Sequence, residues 1–228
     1  MSNKVNTLLE CVHEYVIGAS GSGKSHYVKQ KVKLHKRALI WDPDDEYGEV
    51  PNLITVSQAS DLISLIQQSD AKVRFVPRSM DGKYLEKCFE FVSLSAFIWG
   101  NCLLVAEEIA DVTTPSKALN GWGTVLRRGR KRGVKVMAVS QRPAEADKTI
   151  FTQARIIRTG RLDGEGDIKR VADNMRIPAD LVGQLGKLEF FELDRNTGEL
   201  KAGKMDKSVI VRNDWNSTLD VSKLTKAA

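Results

Sequence analysis

Cysteine is scarce in this chain of 228 residues, and the three present, Cys11, Cys88 and Cys102, form no C-x-x-C pair. An odd number without paired spacing supports no disulfide framework and points to a reducing compartment. Cys88 and Cys102 sit in apolar runs, where a thiol acts as a small core residue. Long apolar runs are missing as well. The most apolar stretch, FVSLSAFIWGNCLLVA, is broken by Gly100 and Asn101. It falls short of the roughly 18 apolar residues that a spanning helix needs. The opening MSNKVNTLLECVHEY has no apolar h-region, so a signal peptide is not expected. Internal repeats and low-complexity linkers are absent too. One domain is the simplest reading: residues 1–205 as a single unit, followed over 206–228 by a strand and a polar, mobile tail.

Acidic residues are almost missing from one segment. Residues 121–161 hold 11 basic and 2 acidic side chains, a balance of +9, while residues 1–120 balance at −2 and 162–228 at −1. The net charge of +6 is therefore concentrated in 41 residues. A surplus so localised points to a polyanion partner.

Apolar runs alternate with helical patterns along the chain. EYVIGAS, ALIWD, KVRFVPR, NCLLVAEE, VKVMAVS and ARIIRTG read as strands. KSHYVKQKVKLHK, SQASDLISLIQQ, residues 81–99, residues 116–132 and DIKRVADNM read as helices, the second with a Ser/Asp cap. LEFFELDRNTGELKAGKM reads as a hairpin turned at Asn196-Thr197-Gly198. CLLVA and VMAV are apolar without alternation, as central parallel strands are. The expected fold is α/β, a mostly parallel sheet with helices on both faces and a C-terminal β-hairpin.

Gly18, Ala19, Ser20, Gly21, Ser22, Gly23, Lys24 and Ser25 match G-x-x-x-x-G-K-[ST] between a strand and a helix. The glycines let successive backbone N–H groups face one phosphate, and the helix start adds its dipole. Lys24 reaches the β- and γ-phosphates of ATP, and the Ser25 hydroxyl takes a Mg²⁺ position. Hydrolysis needs a second element, an apolar strand ending in acid, and LLVAEE supplies it. Glu107 is the candidate for the metal's shell and Glu108 for polarising the attacking water. Gln141, at the end of VKVMAVSQ, is a candidate γ-phosphate sensor. In the turn WDPDDEYG, Asp42 or Glu46 could lie near the nucleotide, or the turn could be only an acidic corner.

In order, GASGSGKS, WDPDDEYG, LLVAEE and RGRKRGVKVMAVSQRP resemble the FtsK–HerA superfamily of DNA-pumping ATPases, with its RecA/ASCE-like P-loop core. That superfamily carries a D-P-x-x-E-Y-like turn and a sensor strand ending in T-Q-R-P. Here Ser140 stands where Thr is usual and Glu107 where Asp is usual. Within the superfamily, the small size and the opening residues resemble the genome-packaging ATPases of tectiviruses, tailless phages with an internal membrane. The resemblance implies an ATP-driven double-stranded DNA translocase that fills a preformed procapsid through one vertex. It implies a homo-oligomeric ring, a hexamer, with vertex and membrane proteins of the virion as partners, located in the virion and the host cytoplasm. It also implies that Arg130, three residues before Gly133, is an arginine finger offered to a neighbouring subunit. Arg161 then matches a second sensor. Arg127, Arg128, Lys131 and Arg132 are left as candidate DNA contacts or ring-facing pairs. The alternatives are a cellular HerA-, FtsK- or conjugation-type pump, and a nucleotide-gated adaptor with little turnover.

Overall fold

ALIW and LLVA carry no polar side chain because both of their faces are covered. The computed structural model describes residues 5–10, 12–67, 70–116, 118, 120–205 and 210–212. Its strands are β1 (Glu14–Ile17), β2 (Ala38–Trp41), β3 (Leu53–Val56), β4 (Lys72–Phe75), β5 (Leu103–Ala106), β6 (Lys135–Ser140), β7 (Ile156–Thr159), β8 (Glu189–Asp194), β9 (Glu199–Lys204) and β10 (Ile210–Arg212). They form one sheet in the order β10-β9-β8-β7-β1-β6-β5-β2-β4-β3. The strands from β7 to β3 in that order are parallel. The last three in sequence add antiparallel to the β7 edge, β8 and β9 as the expected hairpin. The expected tail beyond β10 lies outside the described residues.

The helices are α1 (Lys24–Lys33), α2 (Ala59–Ile66), α3 (Gly82–Trp99), α4 (Asn120–Arg128), α5 (Lys148–Gln153), α6 (Glu165–Met175) and α7 (Ala179–Gly183). They cover the two faces unequally. Tyr15, Ile17, Leu39, Trp41, Leu104 and Ala138 point to one face, into a core shared with α2 to α7. Their neighbours Val16, Ala38, Ile40, Val105, Met137 and Val139 point to the other, where Val28 and Val32 of α1 meet them beside Tyr47 and Val50. The period of two thus divides each strand between two cores. The larger core is crossed by an aromatic chain, Phe75–Trp41–Phe89–Trp122, with ring centroids 6.2, 5.6 and 5.2 Å apart. Each such side chain, buried fully, contributes about 1.5–3 kcal/mol of transfer free energy.

Three local details differ from the sequence reading. β3 was not anticipated: its two middle residues, Ile54 and Thr55, are exposed on an edge strand, so no apolar pattern marks it. The basic helix ends at Arg128, and Gly129–Arg132 continues as a 3₁₀ turn closed by Gly133 at φ 72°. α2 starts after Gln58 with no side-chain cap, whereas Asp81 caps α3 by accepting from the Tyr84 amide at 3.0 Å. Among the described residues no helix is long and apolar enough to cross a membrane.

Candidate functional site

The carboxyl ends of the parallel strands lie together, the usual ligand position in an open α/β sheet. There the turns after β1, β2, β5 and β6 enclose a pocket of about 280 Å³, lined by Lys24, Ser25, Glu46, Glu107, Glu108 and Gln141 among others. Residues 18–23 enter it from β1. The Gly18 amide donates to Ser140 O (3.2 Å) and the Ala19 amide to Arg161 O (2.7 Å), which moors the loop to the ends of β6 and β7. Gly18 has φ 153°, and a Cβ there would lie 2.5 Å from Ser22 Oγ. Gly23 precedes α1 at φ 93°, a left-handed cap that a side chain would strain. Lys24 Nζ donates to Ala19 O at 3.2 Å. Burial lowers the Lys24 pKa, while Glu108, Glu107 and Glu46 act to keep the ammonium charged.

Glu107 and Glu108 are adjacent in sequence but sit in different surroundings. Glu107 is buried, and Tyr47 Oη donates a hydrogen bond to its Oε1. Burial pushes the Glu107 carboxyl up to about 8, with Glu108 and Glu46 adding to the rise and Tyr47 and Lys24 opposing it. Glu108 turns away from the strand in a left-handed conformation, φ 42° and ψ 54°. Such a conformation costs a non-glycine residue about 1–3 kcal/mol and is concentrated at functional sites. It brings the Glu108 carboxylate to Gln141, whose Nε2 donates to Oε1 at 2.8 Å and whose amide donates to Oε2 at 3.3 Å.

The turn after β2 forms the facing wall. Asp42 is buried and accepts from the amides of Glu46 (2.8 Å) and Tyr47 (3.1 Å) and from Arg74 Nη1 (3.1 Å). Asp42 therefore shapes the turn, while Glu46 Oε2 accepts from Ser25 Oγ at 2.9 Å. Three further pocket residues, His26, Asp44 and Leu188, were not singled out in the sequence. Leu188 has φ 64° and comes from the loop before β8, where its carbonyl accepts from the Met205 amide at 2.9 Å. No local pattern announces that contact, because the hairpin folds back from far along the chain.

No family model matches the sequence. Protein P9 of Pseudoalteromonas phage PM2 is 29% identical over 183 residues, covering 80% of this chain and 83% of that protein. The genome packaging NTPase B204 of Sulfolobus turreted icosahedral virus 2, in complex with ATP-gammaS, superposes with a TM-score of 0.66 at 20% identity, covering 90% of this chain and 98% of that one. VirB4 of Thermoanaerobacter pseudethanolicus superposes with a TM-score of 0.57 at 12% identity, over 92% and 90% of the two chains. The chain shares the fold of these two proteins, a P-loop fold by its G-x-x-x-x-G-K-S turn between β1 and α1.

The remaining candidates are not in the pocket lining, though the Arg161 carbonyl holds the phosphate loop. Arg161 follows β7, and its guanidinium pairs with Asp163. The basic run 127–132 lies at the opposite pole, where the strands begin: the Asn101 amide, just before β5, donates to Arg132 O at 2.8 Å. β6 separates that pole from Gln141, and its six residues span ~20 Å. Arg130 Nη1 donates to Leu9 O at 2.7 Å, and Arg132 lies 4.5 Å over the Phe97 ring. Arg127, Arg128 and Lys131 are exposed. For a metal, no group of three His, Cys, Asp or Glu forms a cage among the described residues. Mg²⁺ needs no such cage, since it takes one or two protein oxygens and completes its shell with phosphate and water. Ser25 and Glu107, both in the pocket lining, are the oxygen donors that would hold it.

Proposed function

We propose that this chain is an ATPase that drives double-stranded DNA into a preformed viral procapsid through one vertex. It works as a homo-oligomeric ring, a hexamer, with vertex and membrane proteins of the virion as partners, in the host cytoplasm and the virion. The observation that carries the reading is the contact of Glu108 with Gln141 in the pocket that Lys24 shares. A P-loop fold that only bound nucleotide would need no strained acid locked to the end of the sensor strand. The likeness to a packaging NTPase crystallised with an ATP analogue supports the same reading.

Residues 18–25 hold the phosphates, with the Lys24 ammonium on the β- and γ-oxygens. Ser25 and Glu107 would hold Mg²⁺ together with the phosphates, and the metal would supply charge neutralisation on those oxygens. Glu108 orients the attacking water and accepts its proton, and Gln141 keeps the Glu108 carboxylate aimed. Arg130 of a neighbouring copy supplies the last cation. Such fingers contribute about 10³–10⁵ in rate in other phosphoryl-transfer enzymes. The distance between Arg130 and the pocket of its own chain supports a role across subunits.

The test is ATP hydrolysis with and without duplex DNA. Wild-type protein is expected to hydrolyse ATP faster with DNA. Lys24→Ala should lose nucleotide binding and turnover, and Glu108→Gln should bind ATP without turning it over. Normal hydrolysis by Lys24→Ala would contradict the proposal.

A further inference from the structure

Two stretches of the sequence are basic and free of acid. Residues 24–37 hold six Lys and Arg and no carboxylate, and residues 112–144 hold none either. The fold brings the far end of the first to the basic core of the second. α1 runs back along the sheet and ends at Lys33, so residues 33–37 arrive where the strands begin. The same pole carries Gly129–Arg132 and the start of β6. A groove of about 310 Å³ joins the two runs, with Lys31, His35 and Lys135 all in its lining. Arg37 and Arg132 brace the pole from inside, 4.4 Å over the Trp99 ring and 4.5 Å over the Phe97 ring at the end of α3.

The cations left facing outward are Lys33, Lys36, Arg127, Arg128, Lys131 and Lys135. Among the described residues none of these six enters an ion pair. The carboxylates in the groove are occupied: Glu14 pairs with Lys31 at 3.6 Å and Asp194 with Arg155 at 2.8 Å. Complementing the α1 dipole accounts for Lys31 and Lys33 but not for Lys36, which lies beyond the helix. The opposite pole is acidic, with Asp42, Asp44, Glu46, Glu107 and Glu108 around one lysine in the pocket. Duplex DNA would be attracted to the first pole, whereas the second has only the phosphate loop and Lys24 to set against its carboxylates.

We propose that the exposed cations of this pole, with Arg130 left to the subunit contact, form the duplex-DNA face of the molecule, and that Lys33 and Lys36 bind backbone phosphates alongside Arg127, Arg128, Lys131 and Lys135. The inference rests on the DNA-pump reading above and adds a second element to its binding surface. Duplex DNA carries one charge per ~1.7 Å of its axis, so cations spread over one face can meet successive phosphates together. Each phosphate neutralised steepens the fall of log K with log salt by about 0.9.

The experiment is a salt series of binding to a short labelled duplex, read by fluorescence anisotropy. Lys33→Ala/Lys36→Ala should weaken binding and flatten the salt slope by roughly 2 units, the loss of two phosphate contacts. Lys33→Arg/Lys36→Arg should restore the slope, which separates lost charge from lost folding. Basal ATP hydrolysis without DNA should be unchanged in both. If Arg127→Ala/Arg128→Ala flattens the slope and Lys33→Ala/Lys36→Ala does not, the inference is overturned while the DNA reading stands. If the wild type binds no duplex, both fail. Exposed Leu8 and Leu34 share this pole. Binding to phosphatidylserine vesicles but not to duplex, lost in Lys33→Ala/Lys36→Ala, would therefore replace DNA with a lipid surface.

Discussion

Tyr47 is buried, and its hydroxyl is spent on Glu107. Glu107 stands where the superfamily has Asp, and one extra methylene gives the carboxylate more freedom. The Tyr47 bond removes some of that freedom, and the Asp42–Arg74 pair fixes the turn that delivers Tyr47. Partners of metal-binding groups typically account for 10–100-fold in affinity or activity. Tyr47→Phe is therefore expected to raise the Mg²⁺ needed for half-maximal hydrolysis by about 10–100-fold, with nucleotide binding in the absence of Mg²⁺ little changed. A Mg²⁺ titration of ATPase rate checks this, and an unchanged midpoint would show that Tyr47 only fills space. At this scale the positions of the phosphate loop, Glu107, Glu108 and Gln141 at one end of the sheet were legible, because each sits in a short pattern beside a strand end. The partnerships among them were not. Nothing local in WDPDDEYG says that Asp42 faces its own turn while Tyr47 reaches Glu107.

Between elements, His13 is a fastening that the sequence did not mark. It precedes β1 and is fully buried. The Val136 amide of β6 donates to its Nδ1 at 3.0 Å, so its Nε2–H is free to donate to Leu126 O of α4 at 3.1 Å. One imidazole thus ties β1 to the helix that leads into the basic pole. Burial pulls its pKa from 6.5 down to about 4, against the Leu126 bond, which raises it. The unfolded chain then binds a proton that the folded chain refuses between about 6.5 and 4. This contribution to stability is whole above pH 6.5 and falls by about 3 kcal/mol as the pH drops to 4. Urea unfolding across that range should show the decline in wild type and a shallower one in His13→Asn; parallel curves would refute the assignment. Elements with strong periodicity or apolar runs, such as α3, β5 and β6, were legible from the residues alone. β3, α5 and α7 were not, being four, six and five residues long, too short to establish a period. The uneven cover of the sheet was also hidden, since only tertiary packing decides which face receives α1 alone.

Across the whole molecule the parallel sheet separates two poles. The strand ends hold an acidic pocket with a phosphate loop, and the strand starts hold a basic face. Charge patterning located the basic surplus but not its position, which follows from strand direction. In the proposed mechanism Arg130 and the pocket lie at opposite ends of one chain, so they can meet only between copies. A contact of that kind is heterologous, and a ring closes it. Mixing Arg130→Ala subunits with Glu108→Gln subunits tests this most directly, because neither variant alone has both an acid and a finger. DNA-stimulated ATP hydrolysis should reappear in the mixture, from sites that pair an intact Glu108 with an intact Arg130 of its neighbour. Mixtures that stay inactive at every ratio, made from variants that assemble as the wild type does, would contradict a shared site.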